Sequence, residues 1–306
     1  MPGRFRLSYV YGYSDTDKYY TGEKRDRPVE RNVAASTLTN EHTVIGEYDV
    51  TERLSFIAEI PFLYVRQARD GPGSFGVNGV MLADGLGDVR VLGKYWLASE
   101  NAGLRLYAAA GVRLPTGDSN SRFTSDAGNH ITEDVAVQHG TGNGAAIAEL
   151  GGTSQLHRNF GLFYSGRYVL TPSTETDARN FRNQLTGNGP RRNSDSDSAS
   201  FKVGMQVPVG RMLRESVSEQ PVPRLDGLAV FQAFSGAWVP YDDLVGATRG
   251  FRRAGTVLFY EPGFAWAPSP DVTFTVSVPI TVYRKLQQNG GNLPEWILQA
   301  SVTFAF

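Results

Sequence analysis

The feature that most constrains this chain is the rhythm of its connections. Stretches of about ten residues in which apolar and polar side chains alternate are joined by polar or glycine-rich segments that are long and short in turn. SDTDKYYTGEKRDRPVERN is followed by DVTER, and ARDGPGSFGVNGVMLADGLG by SENAG. TGDSNSRFTSDAGNHITEDVAVQHGTG is followed by QLHRN, and PSTETDARNFRNQLTGNGPRRNSDSDSA comes later, with PSPD near the end. A sheet whose two ends face different surroundings produces this rhythm: strands cross a layer, with tight turns on one side and loops on the other. One connection breaks it. GRMLRESVSEQPVPRLDG, residues 210–227, is long where a short turn is due, and reads as a periplasmic excursion.

Period-2 alternation predicts strands over 3–13, 35–49, 53–67, 87–98, 103–114, 143–155, 160–171, 199–209, 227–238, 255–266, 271–284 and 295–306. Twelve is even, so both termini lie at one end and the last strand can pair with the first. Lipid offers no partner to a bare backbone group, so a sheet that spans it must close on itself. The closing stretch EWILQASVTFAF alternates to its final Phe306, and such a strand needs a neighbour to hold it. The expected fold is therefore all-β, a transmembrane antiparallel up-and-down β-barrel of twelve strands, with residues 1–306 forming one domain.

Composition narrows the function classes. Cysteine is absent, which removes disulfides, thiolate metal sites and cysteine nucleophiles. The formal net charge is −1, without the basic field expected of a nucleic-acid binder. No apolar run reaches the ~18 residues of a spanning helix, which leaves spanning strands untouched. The opening MPGRFRLSYVYGY lacks the basic, apolar and small-residue sequence of a signal peptide. The expectation is a mature outer-membrane chain whose signal peptide has been removed.

Alternation does not say which face meets lipid. Aromatics supply one answer, since they gather where strands meet the membrane boundary. Tyr11, Tyr13, Tyr64, Trp238 and Trp296 fall on the loop side, and Tyr48, Tyr95, Trp266, Phe274 and Phe304 on the turn side. Charges supply the other. Arg4, Arg6, Glu47, Glu59, Arg90, Lys94, Arg105, Arg113, Glu149, Arg167, Lys202 and Glu261 fall on the opposite parity. An Arg or Lys at mid-bilayer costs ~2–4 kcal/mol on the lipid face, so these side chains are expected to line a wet lumen. There they pair with opposite signs or set selectivity. Pro61, Pro208, Pro262 and Pro279 each remove a ladder donor and are expected at bulges near the rims.

Several stretches resemble a known family. EYDVTERLSFIAEIPFLYV, GLGDVRVLGKYWL, LRLYAAAGVRLPTGDSN and HGTGNGAAIAELGGTSQL follow the motif order of the outer-membrane family named for the MetA pathway of phenol degradation. The likeness is good over residues 44–172 and looser beyond, and its motifs are architectural. It implies a channel or transporter, in some members linked to aromatic-compound catabolism. The ending also resembles the C-terminal signal that barrel-assembly machinery reads, with Phe306 as its last residue.

No catalytic constellation stands out, and no cofactor is implied. A nucleophile needs its base within hydrogen-bond reach, and His42, followed by Thr43, has no serine arrangement beside it; lipid hydrolysis is the least favoured reading. A zinc set of His130, His139 and Asp134 is conceivable, but loop histidines are mostly solvated. DGLGD and TGDSN lack the features of a P-loop or an EF-hand and read as turn chemistry. Lys24, Arg25, Arg27 and Arg31, and Arg179, Arg182, Arg191 and Arg192, are diluted by acidic neighbours. They read as solvated loop charges, with lipopolysaccharide phosphates the alternative. The leading expectation is a channel for passive diffusion of a small solute, aromatic or hydrophobic compounds included. A sealed structural or partner-binding barrel is the alternative. Expected partners are outer-membrane lipids, lipopolysaccharide and the assembly machinery, with no nucleic acid; oligomeric state is left open.

Overall fold

The computed structural model describes residues 2–26, 36–69, 79–98, 103–124, 130–132, 137–157, 159–179, 192–210, 212, 227–245, 249–287 and 290–306. The expected 210–227 excursion lies outside them apart from Gly210, Met212 and Gly227, as do Arg27, Arg31, Asp134, Arg182 and Arg191.

Twelve antiparallel walls close into one barrel. They are β1 (Phe5–Thr16), β2 (Ser36–Asp49), β3 (Leu54–Arg69), β4 (Gly79–Leu86 and Arg90–Trp96), β5 (Leu104–Arg113) and β6 (Ala145–His157). β7 (Phe160–Leu170), β8 (Ser198–Val207), β9 (Leu228–Val239), β10 (Gly255–Ser269), β11 (Val272–Ser277 and Ile280–Leu286) and β12 (Leu298–Ala305) complete the ring. β12 pairs with β1 over Arg6↔Ala305 to Tyr13↔Leu298, so the last strand is tied down by the first. The backbones of Phe5 and Phe306 exchange hydrogen bonds of 2.8 and 3.3 Å, and their rings stack with centroids 6.2 Å apart.

The apolar side faces outward. Leu150, Val203, Phe234 and Val282 are exposed in mid-wall, whereas Glu59, Lys94 and Glu261 are buried. That is the reverse of a soluble barrel and fits lipid outside.

Two walls are broken, and proline explains where. In an antiparallel strand a residue's N–H and C=O point to the same neighbour. The Pro61 carbonyl accepts from Gly87 N of the β4 break at 2.8 Å, so its missing N–H also faces β4. There β4 leaves the ladder, between Leu86 and Arg90. The Pro262 carbonyl accepts from Val278 N at 3.0 Å, and β11 is interrupted at Val278–Pro279. These irregularities lie inside walls rather than near the rims as expected. The β4 break also inserts a residue: Met81, Ala83 and Gly85 point inward above it, and Arg90, Leu92 and Lys94 below it. The segment Gly79–Leu86, expected as loop, is thus the upper half of a wall paired with β3.

At the loop end, Tyr19–Thr21 pairs with both Lys24–Asp26 and Gly291–Asn292, joining the first loop to the last. Glu295 accepts from Lys18 and, at 3.1 Å, from Tyr20, and the Lys18 contact holds its carboxyl below the usual range.

Candidate functional site: a divided lumen

Inward parity brings the charged side chains together in clusters. On the β1–β4 side, Arg6 bridges Glu47 at 2.9 Å and Asp49 at 2.7 Å, and Lys94 reaches Glu47. Glu59 takes Arg90 from the adjacent wall at 3.2 Å. It also takes Arg167 from β7, through two bonds of 2.6 and 3.0 Å. β3 and β7 are four places apart around the ring, so this pair spans the interior. Arg167 is in turn held by Glu149 at 2.6 Å, and Glu149 accepts from Tyr107 at 2.6 Å.

Around this bridge the interior is packed. Leu92, Ala109 and Ile147 form a buried cluster with Ile57, Tyr107 and Val169 against the inner faces of β3–β7. A second cluster at the mouth joins Val65, Met81 and Ala83 to Val137, a residue of the third loop. The lumen, expected to be narrow or plugged by a loop at twelve strands, is filled on one side by wall side chains, with third-loop Val137 packed at the mouth. The opposite side stays open as a cavity of about 370 Å³ between β6 and β12. Lys202 and Glu261 pair there at 2.6 Å, and Ser277 donates to the same carboxylate at 2.7 Å.

The remaining expected lumen residues lie toward the ends. Arg4 is exposed just before β1 at the turn end. Arg105 lies over the Trp96 ring at 4.4 Å, and Lys94 is 5.0 and 5.3 Å from the Trp96 and Tyr107 ring centres. Arg113, at the top of β5, reaches Asp88 at 3.7 Å and Asp195 at 3.2 Å. Burial pushes the Asp195 carboxyl up despite that cation.

The third loop is anchored at the β4 break. Asp88 Oδ1 accepts from Gly117 N, and its Oδ2 accepts from Thr141 N, both at 3.1 Å. Thr116 donates its hydroxyl to the Gly87 carbonyl at 2.8 Å and accepts from Val89 N at 2.9 Å. A side chain at Gly140 would meet Gly117 O at 2.5 Å and Asp88 Oδ1 at 2.6 Å, so only glycine fits. GLGD, LPTGD and HGTG, which look like separate motifs in the sequence, thus meet at one place. The first of them is a break in a wall rather than a turn, and His139 is packed against Gly85 and Gly87 within it.

Loops four and five share a second anchor. Asp197 accepts from Thr171 N at 2.8 Å, Leu244 N at 2.9 Å and the Tyr168 hydroxyl at 2.8 Å. Burial pushes its carboxyl up, but these donors outweigh it and hold it below the usual range. Beside it, buried Arg252 pairs with Asp243 and donates to Ser194 Oγ at 2.6 Å.

Of the ten aromatics expected in the girdles, Tyr48, Tyr64, Tyr95, Trp238, Phe274, Trp296 and Phe304 are exposed, and Tyr11, Tyr13 and Trp266 are half-buried. Sequence reasoning missed the inward ones. Trp96, Tyr107, Phe163 and Phe231 share parity with the lumen charges, and the Phe163 and Phe231 rings meet edge-on at 5.8 Å. Counting by twos from Arg167 reaches Ser165 and Phe163, so the signal was present. His42 faces the lipid side, its Nδ1 2.5 Å from the Tyr9 hydroxyl and its ring 5.1 Å from Tyr11.

A closed twelve-stranded barrel, apolar outside and charged within, defines a transmembrane β-barrel. Among solved structures, the chain is similar to the COG4313 outer membrane channel from Pseudomonas putida F1. The TM-score is 0.67 at 13% identity, covering 100% of this chain and 96% of that one. It is also similar to the NanC porin, with a TM-score of 0.47 at 10% identity and coverage of 97% and 98%. A Pseudomonas aeruginosa FadL homologue gives 0.46 at 11%, covering 99% and 89%. At such identities the likeness concerns the fold. No family model matches the sequence, and no curated protein does. The resemblance to the phenol-degradation family rests on the motifs of residues 44–172.

Proposed function

We propose that this protein is an outer-membrane channel through which small solutes, aromatic or otherwise poorly soluble compounds among them, diffuse passively. Loops face outward and turns face the periplasm. The observation that carries the reading is the open cavity beside the Arg167–Glu59 bridge, a space of mixed polar and apolar lining inside a closed barrel. Passage through such a lumen needs width and charge rather than a catalytic group. The expected surroundings are outer-membrane lipid and lipopolysaccharide, with the barrel-assembly machinery as the partner during insertion. The motif resemblance points to aromatic solutes.

Purified, refolded protein in planar bilayers tests this. The reading expects discrete single-channel currents above baseline, and their absence from folded protein counts against it. A sealed barrel is the second reading, favoured by the packed clusters along β3–β7. Swelling of liposomes in small sugars separates the two, since a sealed barrel admits none.

A further inference from the structure

We infer that the open half of the lumen selects small organic anions, carboxylates with a compact apolar body, over cations of similar size. The inference rests on the channel reading and names its substrate class. Pairing makes each charge cluster nearly neutral, but the two signs are not equally accessible to a solute. The Lys202 side chain is 34% exposed and its partner Glu261 2%. Arg90 is 33% exposed against 10% for Glu59, and Arg167 26% against 13% for Glu149. Lys94, folded across two aromatic rings, is the exception: it is 11% exposed against 17% for Glu47.

The pairs that line the cavity are Lys202–Glu261 and Arg167–Glu149, so a solute there meets N–H donors first, with the carboxylates set behind them. Glu261 already accepts from Lys202 and Ser277, and Ser235 lies at 3.5 Å. An ammonium has three donors and no acceptor, so Lys202 keeps donors for a second anion after binding Glu261. Such charge-assisted bonds are roughly twice as strong as neutral ones. Arg167 and Lys202 occupy β7 and β8, with Ser165 and Ser200 as their cross-strand partners. Across the cavity, β10–β12 contribute Phe259, Pro279 and Ile297, beside Gln299 and the buried Glu261. One wall thus suits a carboxylate and the other an apolar body. The cavity lies at the small end of the usual range for ligand sites, ~300–1,000 Å³.

The test measures zero-current potentials in planar bilayers under a gradient of dilute KCl, then compares benzoate with benzylammonium as permeant ions. Chloride over potassium and benzoate over benzylammonium are each expected at roughly three- to fivefold, the scale of one exposed charge in water. The exchange K202E/E261K keeps net charge but reverses which sign meets the solute, and is expected to reverse the preference. K202Q/E261Q, which places no charge in the cavity from this pair and leaves Arg167 in place, is expected to lower both ratios. Folding of each variant is checked by the gel shift of the heated barrel. A current that is unselective or cation-preferring in the unmodified protein overturns the inference and leaves the channel reading standing. So does an anion preference untouched in the neutral variant. No current at all overturns the channel reading itself, and the selectivity falls with it.

Discussion

Arg167 of β7 and Glu59 of β3 form a two-bond pair across the interior, with N···O distances of 2.6 and 3.0 Å. With the apolar cluster packed around it, the pair bounds the open side of the lumen. Replacing the guanidinium in Arg167→Ala removes the bar, and single-channel conductance is expected to rise. It also leaves Glu59 and Glu149 short of donors, at a cost of about 1–3 kcal/mol in urea unfolding. Arg90→Ala is expected to be milder, because Glu59 keeps Arg167; its effect falls on selectivity rather than stability.

The anchor at the β4 break gives a second expectation. Asp88→Ala removes the acceptor for Gly117 N, Thr141 N and the Thr141 hydroxyl together. Limited proteolysis within the 114–141 loop is expected to speed up while the barrel core stays resistant. Gly140→Ala forces the same contact apart by overpacking and is expected to destabilise by about 1–3 kcal/mol. Unchanged proteolysis in both variants would show that these bonds do not hold the loop.

The Asp197 anchor sets a pH dependence. Its folded carboxyl titrates below the ordinary value, so the ionised form is the one folding favours. That stability is present above the ordinary aspartate pKa of ~3.9 and is lost as pH falls through the lower folded value. Hydrogen exchange at the Leu244 amide, which donates to Asp197, reads it directly. Protection, corrected for intrinsic rate, is expected to be flat from neutral pH to about 5 and to fall only below the ordinary range. Asp197→Asn is expected to cost roughly tenfold in protection at neutral pH.

The closure of β12 on β1 predicts the behaviour of the last residue. Phe306→Ala removes the stack on Phe5 while leaving the backbone pairing available. Refolding into detergent is expected to survive, whereas yield in cell envelopes is expected to fall. Equal losses in both would assign Phe306 to stability rather than to recognition during assembly.

Much of this fold can be read from residue order. Loop rhythm and parity place Glu59, Arg167, Lys202 and Glu261 inside, and the same parity places Tyr48, Tyr95, Trp238 and Trp296 outside. What escapes is whatever depends on distance around the ring. Nothing local links Glu59 to Arg167, 108 residues away, or gathers GLGD, LPTGD and HGTG at the β4 break. The upper half of β4 escapes because Gly85 and Gly87 blur the alternation and the inserted residue reverses it. Inward Trp96 and Phe163 escape because aromatics are first sought at the membrane boundary. There the charge parity was the better guide.

The absence of cysteine makes the central claim directly measurable, since any cysteine introduced is the only one. Ser235 lines the open cavity, and its neighbour Phe234 is exposed on the outer face. Single cysteines at the two positions, treated with a charged, membrane-impermeant thiol reagent during bilayer recording, report which face is wet. A one-sided aqueous lumen predicts that the reagent changes the current through Ser235→Cys and leaves Phe234→Cys unaltered. Modification at Phe234→Cys with none at Ser235→Cys would contradict it.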